Sequence, residues 1–198
     1  MDTLTLKPLN GLVKRDGCYN TNMMKIAKVL WLDMEMGGLD ADKDAILEVA
    51  VIATDWDFKE IATYEAVVHQ SDEVLAGMNE WCVTQHGASG LTDRVRESRL
   101  SLGDVERELV AFVCEHFEED EKVILGGNSI HMDRQFIRKG LPKLEELLHY
   151  RMLDVSAWKV VFNGRYKKVF AKPENHRALE DIRGSIMELK YYLQRVRM

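Results

Sequence analysis

The sequence predicts a single α/β domain built on a mixed sheet of five strands flanked by helices. Three strand-like runs come first, and two further strands then alternate with helical stretches. A chain of 198 residues, 46% of them hydrophobic, suits one domain that buries roughly 70% of the surface of its unfolded chain. We therefore expect an apolar core that needs no disulfide bonds to support it.

The first half of the domain supplies three strands in succession. Residues 29–34 form an apolar run typical of a central strand, and residues 40–44 form a turn. A second strand, Ile46–Thr54, and a third over residues 63–69 follow. Because the connections between them are short, we expect the three strands to pair as a meander.

Helices and short strands alternate in the second half. Helical stretches span residues 71 to about 97, and the next helix has one apolar face that carries Val105, Leu109, Phe112, Val113 and a core histidine, His116. A strand at residues 123–125 ends in Gly-Gly-Asn-Ser, where Asn128 or Ser129 is expected to cap a helix through residue 139. Residues 149–153 form the last strand, and the final helix begins near residue 178.

Composition limits the class of protein. The three cysteines are far apart and form no Cys-x-x-Cys pair, which excludes a disulfide framework and favours a reducing compartment. The apolar runs are far shorter than the ~20 residues of a membrane span, so we expect no membrane partner and an intracellular, cytoplasmic or mitochondrial, location. The net charge of −6 disfavours a long nucleic-acid footprint but is compatible with a short anionic ligand held through metal ions.

Residues 1–27 differ from the domain that follows at residues 28–198. They mix Thr, Asn, Lys and Gly without periodicity, and we expect a loose tail. Five basic and two acidic residues up to Lys28 leave an organelle-targeting segment as an alternative.

Two carboxylates, Asp33 and Glu35, stand at the end of the first predicted strand. Side chains at i and i+2 of a strand point to one face, roughly 6–7 Å apart, which fits two divalent ions about 4 Å apart. Acidic residues also solvate turns, and Asp-x-Asp pairs recur within residues 40–44 and 55–57. Because a charge directly after a buried strand is costly unless it is paired or metal-bound, the position favours a metal site.

Three further residues are candidates for chemistry. Asp133 falls in the first turn of a predicted helix, where it either complements the helix dipole or supplies a third metal carboxylate. His176 precedes the final helix and Asp181 lies one turn inside it. A histidine near carboxylates titrates near neutral pH and can act as a general base. No P-loop, Gly-x-Gly-x-x-Gly or Gly-x-Ser-x-Gly motif is present, which argues against nucleotide-triphosphate hydrolysis, dinucleotide binding and α/β-hydrolase chemistry.

The order Asp33-x-Glu35, Asp133 and His176-x4-Asp181 resembles the DEDD superfamily of 3′-to-5′ exonucleases, in the branch whose last motif is His-x4-Asp. The flanking segments resemble the oligoribonuclease family at residues 31–39, 68–72, 86–91, 127–130, 149–156 and 176–183, so the resemblance covers about residues 28–197. Two features depart from the family. Gly37 stands where Thr is common, and residues 160–175 match poorly.

The resemblance implies an RNase H-like exonuclease fold and release of nucleoside 5′-monophosphates from the 3′ end of very short RNA, especially dinucleotides. It also implies two Mg²⁺ or Mn²⁺ ions, for which carboxylate oxygens are suitable ligands. The implied metal ligands are Asp33, Glu35, Asp133 and Asp181, and the implied general base is His176.

The implied substrate contacts form three groups. Leu39 and Trp81 would clamp the two bases, with His86 supporting the substrate. A cap on the 5′ phosphate would consist of Ser129, Arg151 and Ser156. Tyr150 would reach in from the second subunit of a homodimer, and without the resemblance Leu39, Trp81 and Tyr150 would be expected to pack in the core.

Two other functions fit the sequence less well. An exonuclease of the same branch acting on longer RNA or DNA 3′ ends has the same motif, but the acidic charge and the single domain argue against it. A non-catalytic nucleic-acid-binding protein on this fold is the alternative of another class. The presence of all five motif residues argues against that function.

Overall fold

A five-stranded mixed sheet lies at the centre of the computed structural model, which describes residues 26–171 and 177–196. Its strands are β1 (Val29–Met36), β2 (Ile46–Thr54), β3 (Glu60–Val67), β4 (Val123–Gly127) and β5 (Leu148–Asp154). They lie in the order β3-β2-β1-β4-β5. The first three form an antiparallel meander, whereas β4 runs parallel to β1 and β5 runs parallel to β4. The predicted fold class is confirmed.

Helices connect the strands and cover both faces of this sheet. In the described residues they are α1 (Asp72–Ala76), α2 (Glu80–Ala88), α3 (Leu91–Glu97), α4 (Leu102–His116), α5 (His131–Gly140), α6 (Pro142–Leu147), α7 (Val155–Tyr166) and α8 (Ala178–Leu193). The helical region predicted from residue 71 to about 97 is thus divided into three short helices. The helices α6 and α7 were not predicted.

The alternation of side chains along β1 divides its apolar residues between two cores. Leu30 and Leu32 pack in the core that includes Leu109 of α4. Trp31 points to the opposite face, where it packs in the core that includes Ile182 of α8. The strand β2 is buried along its whole length because it has a neighbouring strand on each side and is covered on both faces.

The junction after β4 differs from the prediction. The helix α5 begins at His131, and no side chain caps it, so the expected cap at Asn128 or Ser129 is wrong. Ser129 instead has a left-handed backbone with φ of 50°. Its N–H donates to Asp154 Oδ1 at 3.0 Å and to Ser156 Oγ at 2.9 Å. These partners are distant in sequence, so a local capping rule could not identify them.

Several smaller observations bear on the sequence predictions. His116 is half-buried, and its ring stacks on that of Phe112 with centroids 4.6 Å apart. The part of the predicted tail at residues 1–25 lies outside the described residues, while Ala27 is already buried in the core. Cys82 is free and buried. Across residues 26–171 and 177–196, no helix is both long and apolar enough to cross a membrane.

Candidate active site

The end of β1 places two carboxylates on the face of the sheet that α8 covers. Asp33 and Glu35 continue the side of the strand that carries Trp31, and both are half-buried. In the antiparallel pairing with β2, Glu35 lies opposite Glu48. The carboxylate of Glu48 is buried and forms an ion pair with Arg94, whose Nη1 is 2.6 Å from Oε1. Glu35 is therefore next to a carboxylate that is already paired with the guanidinium of Arg94.

Asp133 reaches the same region from the first turn of α5, as predicted. Its side chain is 7% exposed, and Oδ1 accepts a hydrogen bond from the backbone N–H of Met34 at 3.2 Å. Burial, together with the nearby negative charge of Glu35, raises the pKa of the Asp133 carboxyl to about 7, although the backbone hydrogen bonds and His131 act in the opposite direction. Among the described residues no Lys or Arg forms an ion pair with Asp133. A bound cation would provide the missing positive charge.

The other two residues of the motif belong to the start of α8. Asp181 lies in the first turn of this helix, which packs against β1 and β2. His176 lies outside the described residues. Within the part of the chain that the structure describes, no three His, Cys, Asp or Glu side chains form a ready-made metal cluster. The fit to a cation therefore rests on the buried Asp133 facing Glu35.

The two residues expected to hold bases are exposed. Leu39 is 71% exposed in the bend after β1, and Trp81 is 67% exposed in the first turn of α2. The alternative of core packing is therefore wrong for both. Two hydrogen bonds join α2 to the end of β1 and the bend that follows it. Asn79 N–H donates to Gly37 O at 3.4 Å, and His86 Nε2–H donates to Met36 O at 2.9 Å. His86 itself is buried, so it holds α2 against β1.

Two of the three residues expected to cap a phosphate lie together. Ser129 Oγ and Ser156 Oγ are 3.0 Å apart, at the point where the ends of β4 and β5 meet. Asp154 caps α7 by accepting from Ser156 N–H at 2.9 Å. Sequence reasoning did not assign a role to Asp154, although an aspartate directly before a helix is a typical N-cap.

The structure does not bring Arg151 to these serines. Within the described residues its contacts are with its own strand: Arg151 N–H donates to His149 Nδ1 at 2.9 Å, and its guanidinium lies 5.2 Å from the centre of the Tyr150 ring. Tyr150 is 71% exposed, so it is not a core residue. Both residues lie on β5, the last strand of the sheet.

Comparisons with known proteins agree with this arrangement. A family model described as an exonuclease, RNase_T, matches residues 30–189. The chain is 44% identical over 178 residues to the oligoribonuclease of Francisella tularensis subsp. novicida (strain U112), covering 88% of this chain and 98% of that protein. It is 45% identical over 170 residues to the oligoribonuclease of Ectopseudomonas mendocina (strain ymp), covering 84% of this chain and 94% of that protein.

Solved structures show the same fold at low sequence identity. E. coli exonuclease I in complex with a 5cy-dA13 oligonucleotide superposes with a TM-score of 0.64 and is 15% identical, covering 85% of this chain and 41% of that chain. Exonuclease I from Methylocaldum szegediense gives a TM-score of 0.62 at 15% identity, covering 84% of this chain and 40% of that one. This chain thus spans about two fifths of the exonuclease I proteins but nearly the whole of the two oligoribonucleases. On the family match and these identities, the chain belongs to the oligoribonuclease family of exonucleases.

Proposed function

We propose that the protein is a 3′-to-5′ exoribonuclease that degrades very short RNA, especially dinucleotides, to nucleoside 5′-monophosphates. The observation that carries the proposal is the buried carboxyl group of Asp133 near Glu35 at the end of β1, with which no Lys or Arg of the described residues forms an ion pair. Such a buried carboxyl group at the carboxyl end of a central strand supports the proposal of a cation there. Similarity to oligoribonucleases over nearly their whole length supports RNA as the substrate.

The proposed metal ligands are the carboxylates of Asp33, Glu35, Asp133 and Asp181. Carboxylate oxygens suit hard divalent cations, and Mg²⁺ or Mn²⁺ are the ions we propose. When bound, two such ions would activate the attacking water and stabilise the leaving 3′ oxygen. The buried position of Asp133 would fix one carboxylate through the hydrogen bond from Met34 N–H and exclude bulk water on that side.

His176 is the proposed general base. It directly precedes Arg177, the N-cap residue of α8, and Asp181 lies in the first turn of that helix. A neutral imidazole there would accept the proton of the attacking water. The bond between phosphorus and the 3′ oxygen of the preceding nucleotide would break, so the phosphate would remain on the 5′ oxygen of the released nucleotide.

Leu39 and Trp81 are the proposed base clamp. Both side chains are exposed and so accessible to a base, and a base stacked on an aromatic ring gains about 1–3 kcal/mol. The hydrogen bonds from Asn79 and His86 would set the distance between the two side chains, so His86 would support the substrate through the position of α2.

The 5′ end of the substrate is proposed to meet a cap formed by Ser129, Ser156 and Arg151. The two serine hydroxyls lie together, whereas Arg151 lies with Tyr150 on the edge strand. An exposed tyrosine with an arginine over its ring is typical of an interface. We therefore propose a homodimer in which Tyr150 reaches the partner's site. A cytoplasmic location stays a prediction.

Cleavage of two labelled RNAs side by side tests the function. In the presence of Mg²⁺ or Mn²⁺, a 5′-phosphorylated RNA dimer should be hydrolysed much faster than an RNA of about seven nucleotides, because the cap closes the pocket behind the second nucleotide. The products should be nucleoside 5′-monophosphates. Equal rates on the two RNAs would favour an exonuclease of longer 3′ ends, and binding without cleavage would favour the non-catalytic alternative.

A further inference from the structure

A chain of hydrogen bonds joins the serine pair Ser129–Ser156 to the buried side of α8. Asn128 stands between them: its Oδ1 accepts from Ser156 Oγ at 3.2 Å, and its Nδ2 donates to Ser185 Oγ at 2.8 Å. Ser185 Oγ in turn donates to the backbone oxygen of Asp181 at 3.0 Å. The proposed phosphate-binding serines are therefore connected, through the side chains of Asn128 and Ser185, to the backbone of a proposed metal ligand.

Glu188 determines which group donates and which accepts in these hydrogen bonds. This residue is 1% exposed, and its Oε2 lies 3.3 Å from Asn128 Nδ2. A carboxylate only accepts hydrogen bonds, so the NH₂ group of Asn128 must face it and the amide oxygen must face Ser156. Tyr192 donates to the other carboxylate oxygen, Oε1, at 2.8 Å, and its buried ring stacks on that of Phe162.

The orientation of the Asn128 amide determines which hydrogen bonds Ser156 and Ser129 make. Because the Ser156 proton is directed to Asn128 Oδ1, the Ser156 oxygen is free to accept from Ser129 N–H at 2.9 Å. That bond, together with the one to Asp154, holds Ser129 in its left-handed backbone conformation, which is costly for a residue with a side chain. The exposed Ser129 hydroxyl can then turn to a ligand without movement of the backbone.

We propose that Glu188 is a positioning residue for the 5′-phosphate cap, acting through the amide of Asn128. This inference rests on the proposed function, since it assumes that Ser129 and Ser156 bind the 5′ phosphate. Glu188 touches neither serine, and its effect is to choose which end of the Asn128 amide faces Ser156.

The test is the 5′-phosphate preference, defined as kcat/KM for a 5′-phosphorylated RNA dimer divided by kcat/KM for the same dimer with a 5′ hydroxyl. This ratio does not change when part of the protein is unfolded, because both substrates lose the same fraction of enzyme. Glu188→Gln keeps the shape of the side chain but adds an NH₂ group, so the Asn128 amide can turn over. We expect the preference to fall by about three- to tenfold, the loss of one well-aligned hydrogen bond, through a rise in KM for the phosphorylated dimer.

Tyr192→Phe is the matched control. It removes a hydrogen bond to the same carboxylate and keeps the stacked ring, but it leaves Glu188 an acceptor and the amide direction unchanged. We expect a lower melting temperature with the preference retained. If Glu188→Gln does not fold, Asn128→Ala, at a half-buried position, should show the same loss of preference.

The outcomes separate this inference from the proposed function. If the unmodified protein prefers the 5′ phosphate and Glu188→Gln, or Asn128→Ala in its place, retains that preference, the positioning role is wrong while the cap stands. If the unmodified protein shows no preference for the 5′ phosphate, the proposed cap is wrong, and the role of Glu188 is wrong with it.

Discussion

Asp133 is buried beside a negatively charged residue, and among the described residues no Lys or Arg forms an ion pair with it. Its carboxyl group faces Glu35, and burial raises its pKa to about 7. A charged group in such a place is unfavourable for folding, because desolvation is not offset by an ion pair. A neutral isostere would keep an acceptor for Met34 N–H and remove the charge. We therefore expect this residue to contribute to cation binding rather than to stability.

Asp133→Asn should abolish metal-dependent turnover and leave the melting temperature of the metal-free protein unchanged or higher. The amide oxygen can still accept from Met34 N–H, while the metal loses a charged ligand. Activity against Mg²⁺ concentration and thermal unfolding in EDTA would measure the two effects. Asp57→Asn, at an exposed aspartate between β2 and β3, is the control and should change neither. Near-normal turnover in Asp133→Asn would remove Asp133 from the metal site.

His176→Ala should lower kcat by about 10²- to 10⁴-fold and change KM little, because a general base acts in the transition state. Steady-state kinetics on an RNA dimer between pH 6 and pH 9 would measure both constants. The variant should also lose the limb of the pH profile that reports deprotonation of the base. An unchanged kcat near neutral pH would exclude His176 from the mechanism.

At the scale of elements, α2 links the base clamp to the end of β1. Its N-cap residue, Asn79, accepts from Cys82 N–H at 2.9 Å and donates its own N–H to Gly37 O. Trp81 lies in the first turn of this helix. Because a helix end frays when its cap is lost, the position of the Trp81 ring depends on Asn79.

Asn79→Ala should therefore raise KM for an RNA dimer, in addition to destabilising the fold by about 1 kcal/mol. The matched control is Ser101→Ala, which removes the same kind of cap from α4, a helix that packs in the core formed with Leu30 and Leu32. We expect a similar loss of stability there, with no change in KM. Urea unfolding and steady-state kinetics on both variants give the comparison. An equal effect on KM in the two variants would show that α2 has no special role.

Local patterns predict the central elements well because burial determines their residues. β2 was predicted with its observed bounds, since its apolar run is buried on both faces. The edge strand β3 begins at Glu60, earlier than predicted, because an exposed edge carries polar residues that hide the strand pattern. The helix α7 was missed because only Val155 and Phe162 are buried in it, too few to give a helical period.

The candidate site was predictable where strand and helix positions determine it. The carboxylates at the end of β1 and Asp133 in the first turn of α5 follow from these rules and from the motif. The connection of Ser129 to Asn128, Asp154 and Ser156 is between distant parts of the chain, and no local pattern contains it. That connection requires the parallel pairing of β4 with β5.

At the scale of the whole molecule, the homodimer that we propose would divide the site between two subunits. The carboxylates and the serine pair would belong to one chain, whereas the exposed Tyr150, with Arg151 over its ring, lies on the edge strand β5. An edge strand with an exposed aromatic side chain is a surface suited to pairing with a second copy. In a two-fold symmetric dimer each chain would donate Tyr150 and receive the partner's Tyr150.

Mixing two inactive variants tests this arrangement directly. The Asp133→Asn variant has a defective metal site but keeps Tyr150. The Tyr150→Ala variant keeps the metal site but lacks the tyrosine. If Tyr150 acts across the interface, a mixed dimer contains one complete site, so random exchange of equal amounts should restore about one quarter of the sites. Activity should therefore rise on mixing and follow the rate of subunit exchange.

Tyr166→Ala, at an exposed tyrosine of α7, is the control and should be active without mixing. If mixed dimers form and activity does not recover, Tyr150 acts within its own chain, and a fully active monomer would show that no dimer is needed.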